Sequence, residues 1–213
     1  MNLILFGPPG AGKGTQAQFI VKKHNYFQLS TGNLLRAEVK SKTSLGAEIE
    51  SLISNGKFAS NETVNALLRQ SIMNLKFRDR IIFDGYPRNV EQAKNLELIL
   101  GEFNQTVGHI IFLNVSREII EKRIMGRVTC DKCNMTMNEF FNKEQIELHP
   151  CGKEFLKKRK DDNFDVVVAR YDTYMTETKP VLDFYSKYEN FTEIDGATEI
   201  EQINNKINDV LNV

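Results

Sequence analysis

The 213-residue chain has no apolar run long enough to cross a bilayer. It has no excess charge either, because 28 Lys and Arg balance 28 Asp and Glu. No global field therefore draws it to nucleic acid or to an anionic membrane, and neither partner is expected. Cysteine is scarce: Cys130, Cys133 and Cys151 are the only three, all in one segment. An odd number so placed argues against a disulfide framework and for a metal site. Histidine is as rare, and both His24, near the end of a first helix, and His109, opening a strand, read as structural. The apolar start, Asn2 to Phe6, is too short for a secretory signal core, so the cytoplasm is the expected location. There is no internal repeat and no low-complexity tract.

What the chain does have begins at residue 7. Gly-Pro-Pro-Gly-Ala-Gly-Lys-Gly-Thr, residues 7–15, directly follows the apolar run Leu3–Phe6. A glycine-rich turn between a strand and a helix leaves backbone N–H groups open to a polyphosphate. The helix points its positive dipole end at the same place, and Lys13 adds a mobile cation. Gly7, Gly12 and Lys13 fit the general phosphate-loop pattern, while Gly14 stands where Ser or Thr is usual and Thr15 comes one later. The loop predicts binding of a nucleoside triphosphate.

Short apolar runs then alternate with helical patterns. Leu3–Phe6, Phe27–Leu29, Ile81–Phe83, His109–Leu113 and Phe191–Ile194 read as strands of a parallel sheet covered on both faces. A last helix is expected from a Thr198–Glu201 capping box onward. Another runs from about Phe164, with Val167, Arg170, Tyr171, Tyr174 and Thr178 on one face and Pro180 ending or kinking it. Residues 30–59 and 126–159 break the rhythm and read as insertions over the nucleotide edge of the sheet. The fold class is α/β, a phosphate-loop three-layer fold around a central parallel five-stranded sheet.

The second strong signal is Ile81-Ile82-Phe83-Asp84-Gly85-Tyr86-Pro87-Arg88. A buried strand delivers an acid at its carboxyl end, where open α/β sheets bind ligands. Asp84 is a candidate magnesium holder, directly or through water. With this segment the chain resembles the adenylate kinase family, in its long-lid form. The resemblance is carried by residues 7–15, Leu29-Ser30-Thr31-Gly32-Asn33-Leu34-Leu35-Arg36, Asp84-Gly85-Tyr86-Pro87-Arg88 with Gln92, Arg123-Ile124-Met125-Gly126-Arg127, Arg159-Lys160-Asp161-Asp162 and Arg170. It spans almost the whole chain, and the Gly14-Thr15 order is the family's own form of the loop.

The resemblance implies reversible Mg2+-dependent transfer from ATP to AMP giving two ADP, by a monomer. It implies a core of residues 1–29, 60–121 and 160–213, an AMP-binding insertion at 30–59 and a lid at 122–159. By motif, Gly10, Ala11, Gly12, Lys13, Gly14 and Thr15 should hold ATP, with Arg123 and Arg127 beside it. Thr31, Gly32, Arg36, Gly85 and Arg88 should hold AMP, the backbone around Lys57, Phe58 and Ala59 should line its base pocket, and Gln92 should read the adenine edge. Arg159 and Arg170 should surround the transferring phosphoryl group. Lys13, Arg88, Arg123, Arg159 and Arg170 are the candidate catalytic residues.

A phosphate acceptor is already anionic, so the reaction needs neutralising charge and in-line positioning rather than a base. Arginine suits this, being planar, bidentate and permanently charged. A closing lid would keep water from competing for the phosphoryl group. In the lid, Cys130-x-x-Cys133 and Cys151-x-x-Glu154 read as a four-ligand zinc knuckle with a changed last ligand. His149, two residues before Cys151, is the rival fourth ligand. Two other readings stay open: a UMP or CMP kinase of the same fold, and a nucleotide-binding switch that uses zinc for a partner.

Overall fold

The computed structural model describes residues 1–74, 79–159 and 162–211. In chain order the elements are β1 (Asn2–Phe6), α1 (Lys13–His24), β2 (Phe27–Ser30), α2 (Thr31–Lys40), α3 (Ser44–Ser54), α4 (Asn61–Asn74), β3 (Ile81–Asp84), α5 (Val90–Glu102), β4 (Val107–Asn114) and α6 (Arg117–Met125). There follow β5 (Arg127–Cys130), β6 (Thr136–Asn138), α7 (Lys143–Glu147), a 3-10 turn (Lys153–Phe155), β7 (Leu156–Lys157), α8 (Phe164–Thr173), a π turn (Tyr174–Thr178), α9 (Pro180–Tyr185), β8 (Phe191–Asp195) and α10 (Ile200–Leu211).

The main sheet has five strands in the order β2-β3-β1-β4-β8, all parallel. Side chains alternate across its plane, so each apolar run feeds two cores. Ile4, Phe6, Ile81, Phe83, Ile110 and Phe112 pack with Leu35, Leu68, Leu96 and Tyr185 on one face. Leu3, Leu5, Ile82, Ile111, Leu113 and Ile194 pack with Ile20, Ile124, Val167 and Ile207 on the other. The three layers expected from the alternation are therefore present, and each expected strand is found within two residues of its predicted ends.

Residues 30–59 carry the packed pair α2 and α3. Residues 127–157 form a second, antiparallel sheet in the order β6-β5-β7. Its strands have two to four residues, too short for any alternation to stand out in the sequence.

Two local expectations are corrected. The Thr198 hydroxyl donates to the Asp195 carbonyl at 3.2 Å, closing a turn rather than forming a capping box, and α10 starts at Ile200. Pro180 occupies the first position of α9, where its missing N–H costs no helix hydrogen bond, so it opens a helix after the π turn. Asn163 does cap α8, its Oδ1 accepting the Val166 N–H at 3.1 Å. His24 serves structure, with Nε2 2.8 Å from Asn208 Oδ1.

Candidate active site

The site lies at the carboxyl ends of the strands, where β1, β3 and β4 hand over to loops. Between β1 and α1 the chain turns through Gly10 at φ 81° and Gly12 at φ 96°, conformations that a side chain would strain. A Cβ on Gly10 would also stand 2.8 Å from Ile124 Cγ1. No side chain caps α1, and no acid lies in its first turn. Its leading N–H groups thus face the loop as an anion-binding end. Lys13 Nζ donates to the Gly7 and Pro8 carbonyls at 2.8 and 2.9 Å. Burial pushes this ammonium down to about 8, with Asp84 opposing and Arg88, Arg170 and Arg127 adding to the effect.

Asp84 closes β3 and accepts a hydrogen bond from Gln28 Nε2 at 2.8 Å. A Cβ placed on Gly14 would be 3.9 Å from Asp84 Oδ2, so the carboxylate faces the start of α1. An acid opposed to a phosphate loop in this way fits a magnesium ion bound through oxygen or water.

Thr31, buried at the head of α2, donates through Oγ1 to the Gly85 carbonyl at 2.8 Å. Arg88 Nε donates to the same carbonyl at 2.8 Å. The Arg88 guanidinium lies 4.5 Å from the centre of the Phe58 ring. Such a stack is worth about 0.5–1 kcal/mol when exposed and more when dry. Burial first, then Arg170 and Arg36, lowers Arg88 to about 10, with Asp84 opposing. The Phe58 ring thus steadies the arginine. Arg36 donates to Asn33 Oδ1 at 2.6 Å, and a Cβ on Gly32 would come within 3.2 Å of its Nη2. Ala59 is buried, whereas the Lys57 side chain is exposed.

From the other side come α6 and β5. Arg123 Nη1 donates to the Ala11 carbonyl at 3.3 Å, which fixes it on the phosphate loop. Burial lowers this arginine, against Asp195 and Glu199. Arg127 grips Asp162 with both arms, Nε at 2.8 Å from Oδ2 and Nη2 on Oδ1. Arg170, on α8, has Nη1 3.9 Å from the same Oδ1. Asp162 is thus the shared counter-ion of two expected phosphate ligands, and its side chain is 1% exposed. Only the fold brings residue 127 to residue 162. Arg159 is partly buried next to the motif residues Lys160 and Asp161, which lie outside the described residues.

The cysteine knuckle is corrected in one ligand. Cys130, Cys133, Cys151 and His149 bring their ligand atoms within 4.8 Å of one another, with His149 Nε2 3.6 Å from Cys133 Sγ. Glu154 is not part of this group; it sits on the exposed 3-10 turn beyond Gly152. The turn after α7 ends at buried His149, which carries the imidazole inward. Burial raises Cys151 to about 11, helped by hydrogen bonds to the other two thiols. Burial opposes ionisation of Cys130, but hydrogen bonds from the Cys133 and Lys132 backbone and from His149 win and bring it to about 6. Three sulfurs so close cannot all ionise unaided, whereas a tetrahedral Zn2+ with Zn–S of about 2.3 Å would accept all three thiolates and the imidazole. The donor set fits zinc.

A phosphate loop feeding a parallel sheet, an acid across from it and arginines on three sides define a phosphate-loop nucleotide-binding protein of the phosphoryl-transferring class. The sequence matches the family profile described as Adenylate kinase over residues 5–190. It is 80% identical over 213 residues to the adenylate kinase of Pelagibacter ubique (strain HTCC1062), covering 100% of both chains. It is 41% identical to that of Fusobacterium nucleatum, covering 99% of this chain and 98% of the relative. It is 38% identical to that of Novosphingobium aromaticivorans, covering 99% of each. The chain belongs to the adenylate kinase family.

Proposed function

We propose that this protein is a Mg2+-dependent ATP:AMP phosphotransferase, converting ATP and AMP to two ADP. The observation that carries the proposal is the convergence of Lys13, Arg88, Arg123, Arg127 and Arg170 on the space between the phosphate loop and Asp84. Two nucleotides brought end to end repel through their phosphates, and this ring of cations offsets that repulsion. Membership of the family and the 80% identical relative support the same substrates.

In this reading the α1 end, residues 10–15, Arg123 and Arg127 hold ATP. Thr31, Gly32, Arg36, Gly85 and Arg88 hold AMP by its phosphate, with Lys57, Phe58, Ala59 and Gln92 around the base. Lys13, Arg159 and Arg170 follow the phosphoryl group as it moves. Asp84 would hold magnesium, directly or through water, and the ion would supply positive charge to the phosphates. The acceptor oxygen is already deprotonated, so no residue serves as a base.

Residues 30–59 would close over AMP, and residues 122–159 over ATP, around a core of 1–29, 60–121 and 160–213. Water is then excluded before transfer. The family resemblance implies a monomer, for which the cytoplasm is the proposed location, and the balanced charge supports a protein without a nucleic-acid partner.

The test is calorimetry with a dinucleoside pentaphosphate, which spans both nucleotide sites. A transferase of this kind binds it much more tightly than ATP, and Lys13→Ala weakens both. Equal affinity for the two ligands would indicate a single nucleotide site and a switch rather than a kinase.

A further inference from the structure

Gln92, 2% exposed at the start of α5, is held at both ends of its amide. Its Oε1 accepts the Arg88 backbone N–H at 2.8 Å, and its Nε2 donates to Asn61 Oδ1 at 2.8 Å. Asn61, the first residue of α4, also takes the Asn89 Nδ2 hydrogen on Oδ1 at 2.9 Å and donates its own Nδ2 to Glu91 Oε2 at 2.7 Å. Asn89 in turn caps α5, its Oδ1 accepting the Gln92 N–H at 2.8 Å.

The direction of every amide in this chain of bonds is determined. A carboxylate only accepts, so Glu91 turns the Asn61 NH2 outward and its oxygen inward. That oxygen turns the Gln92 NH2 toward it, and the Arg88 N–H requires an oxygen at the other end. Gln92 keeps one N–H and one oxygen lone pair for a ligand, in a fixed order. A flipped Gln92 would set its oxygen against Asn61 Oδ1 and its NH2 against the Arg88 N–H, losing two hydrogen bonds.

We propose that Asn61 is a positioning residue for acceptor-base discrimination. It locks the Gln92 amide in the orientation that reads an amino group beside a ring nitrogen acceptor, the pattern adenine shares with cytosine, and refuses a carbonyl beside a ring N–H, the pattern of guanine and uracil. This rests on the reading above in which Gln92 contacts the acceptor base. An unlocked amide can turn over and serve either pattern, so an enzyme with Gln92 alone would discriminate poorly.

The experiment measures kcat and KM for AMP and GMP, and KM for ATP, in wild type, Asn61→Ala, Asn61→Asp and Gln92→Leu. Asn61→Ala should raise the KM for AMP about 3–10-fold, the range of one lost hydrogen bond to a buried neutral group. It should lower the AMP-over-GMP ratio of kcat/KM by at least as much, while kcat and the KM for ATP hold within about twofold. Asn61→Asp keeps an oxygen facing Gln92, and because Glu91 is exposed its carboxylate can turn away to water from the new one, so this variant should restore the ratio. If Gln92→Leu raises the KM for AMP but Asn61→Ala changes neither KM nor ratio, the positioning role is refuted and the base-reading role of Gln92 stands. If Gln92→Leu itself leaves the KM for AMP unchanged, the base-reading role is wrong and the proposal falls with it. Loss of selectivity in both Asn61 variants, with equal damage to the ATP KM, would mark Asn61 as merely structural and overturn the proposal.

Discussion

Removing the Asp162 carboxylate should destabilise the protein, and polyphosphate should restore what is lost. Its side chain is 1% exposed, Arg127 beside it is 15% exposed, and Arg170 is 22% exposed. Asp162→Ala removes the carboxylate that both the Arg127 and the Arg170 guanidinium contact. Breaking a buried ion pair from one side costs about 3–5 kcal/mol, because the surviving charge has lost its partner. In a chain of this size each kcal/mol moves Tm by about 2–4 °C, so the variant should melt roughly 6–20 °C lower. Asp162→Asn keeps the shape and an acceptor oxygen, and should lose less. The phosphates of a dinucleoside pentaphosphate supply the missing negative charge. Saturating ligand should therefore raise the Tm of Asp162→Ala by more than it raises that of wild type. Thermal unfolding of the three proteins, with and without ligand, is the assay. An unchanged Tm in Asp162→Ala would refute the shared counter-ion, and a loss that ligand does not selectively recover would show that these arginines do not face the phosphates.

Other consequences can be read as directly. Lys13 is held at about 8, below its ordinary 10.5, so between those values the unfolded chain binds a proton that the folded one does not, and this group's contribution to stability rises with pH. A bound triphosphate reverses the shift, so ATP binding should take up a proton at pH 9 and none at pH 6.5, absent in Lys13→Met; calorimetry in buffers of different ionisation enthalpy measures it. Zinc added to metal-free protein should release protons, that of Cys151 among them, since its thiol sits near 11. His149→Ala should weaken zinc more than the roughly 10–100-fold typical of losing an outer-shell partner, and Glu154→Ala should leave affinity unchanged in a competition titration with a chromophoric chelator. The buried Tyr185 hydroxyl has no hydrogen-bond partner among the described residues. Tyr185→Phe should then be neutral or stabilising by up to about 1 kcal/mol in urea unfolding, where a loss above that would reveal a hidden partner.

Much of this fold is legible along the chain because its signals are local. Leu3–Phe6 and Ile81–Phe83 read as buried strands because parallel strands covered on both faces are uniformly apolar. The phosphate loop and the Asp84–Arg88 turn announce themselves by spacing. What stayed hidden depends on distance in sequence. Asp162 shows no local sign of its partner, because Arg127 lies 35 residues away along the chain. The short strands of residues 127–157 are paired by tertiary packing, with too few residues for a pattern. His149 lost to Glu154 on spacing alone, since a three-residue interval after Cys151 mimics the first cysteine pair. The buried position of the histidine decides otherwise. Asn61, 31 residues from Gln92, carries no signal in the sequence, and only the packing of α4 against α5 joins them.

The central claim is that two nucleotides meet over the loop and that the acceptor is AMP. Its most direct test is ADP formation from MgATP with AMP, GMP, UMP or CMP as acceptor, in wild type and Lys13→Ala. The account predicts a far higher kcat/KM for AMP than for the other three, lost in Lys13→Ala. A preference for UMP or GMP would contradict the assignment of Gln92, a preference for CMP, whose base shows the same amino-beside-nitrogen edge as adenine, would contradict AMP as the acceptor, and ATP binding without transfer to any acceptor would contradict the claim itself.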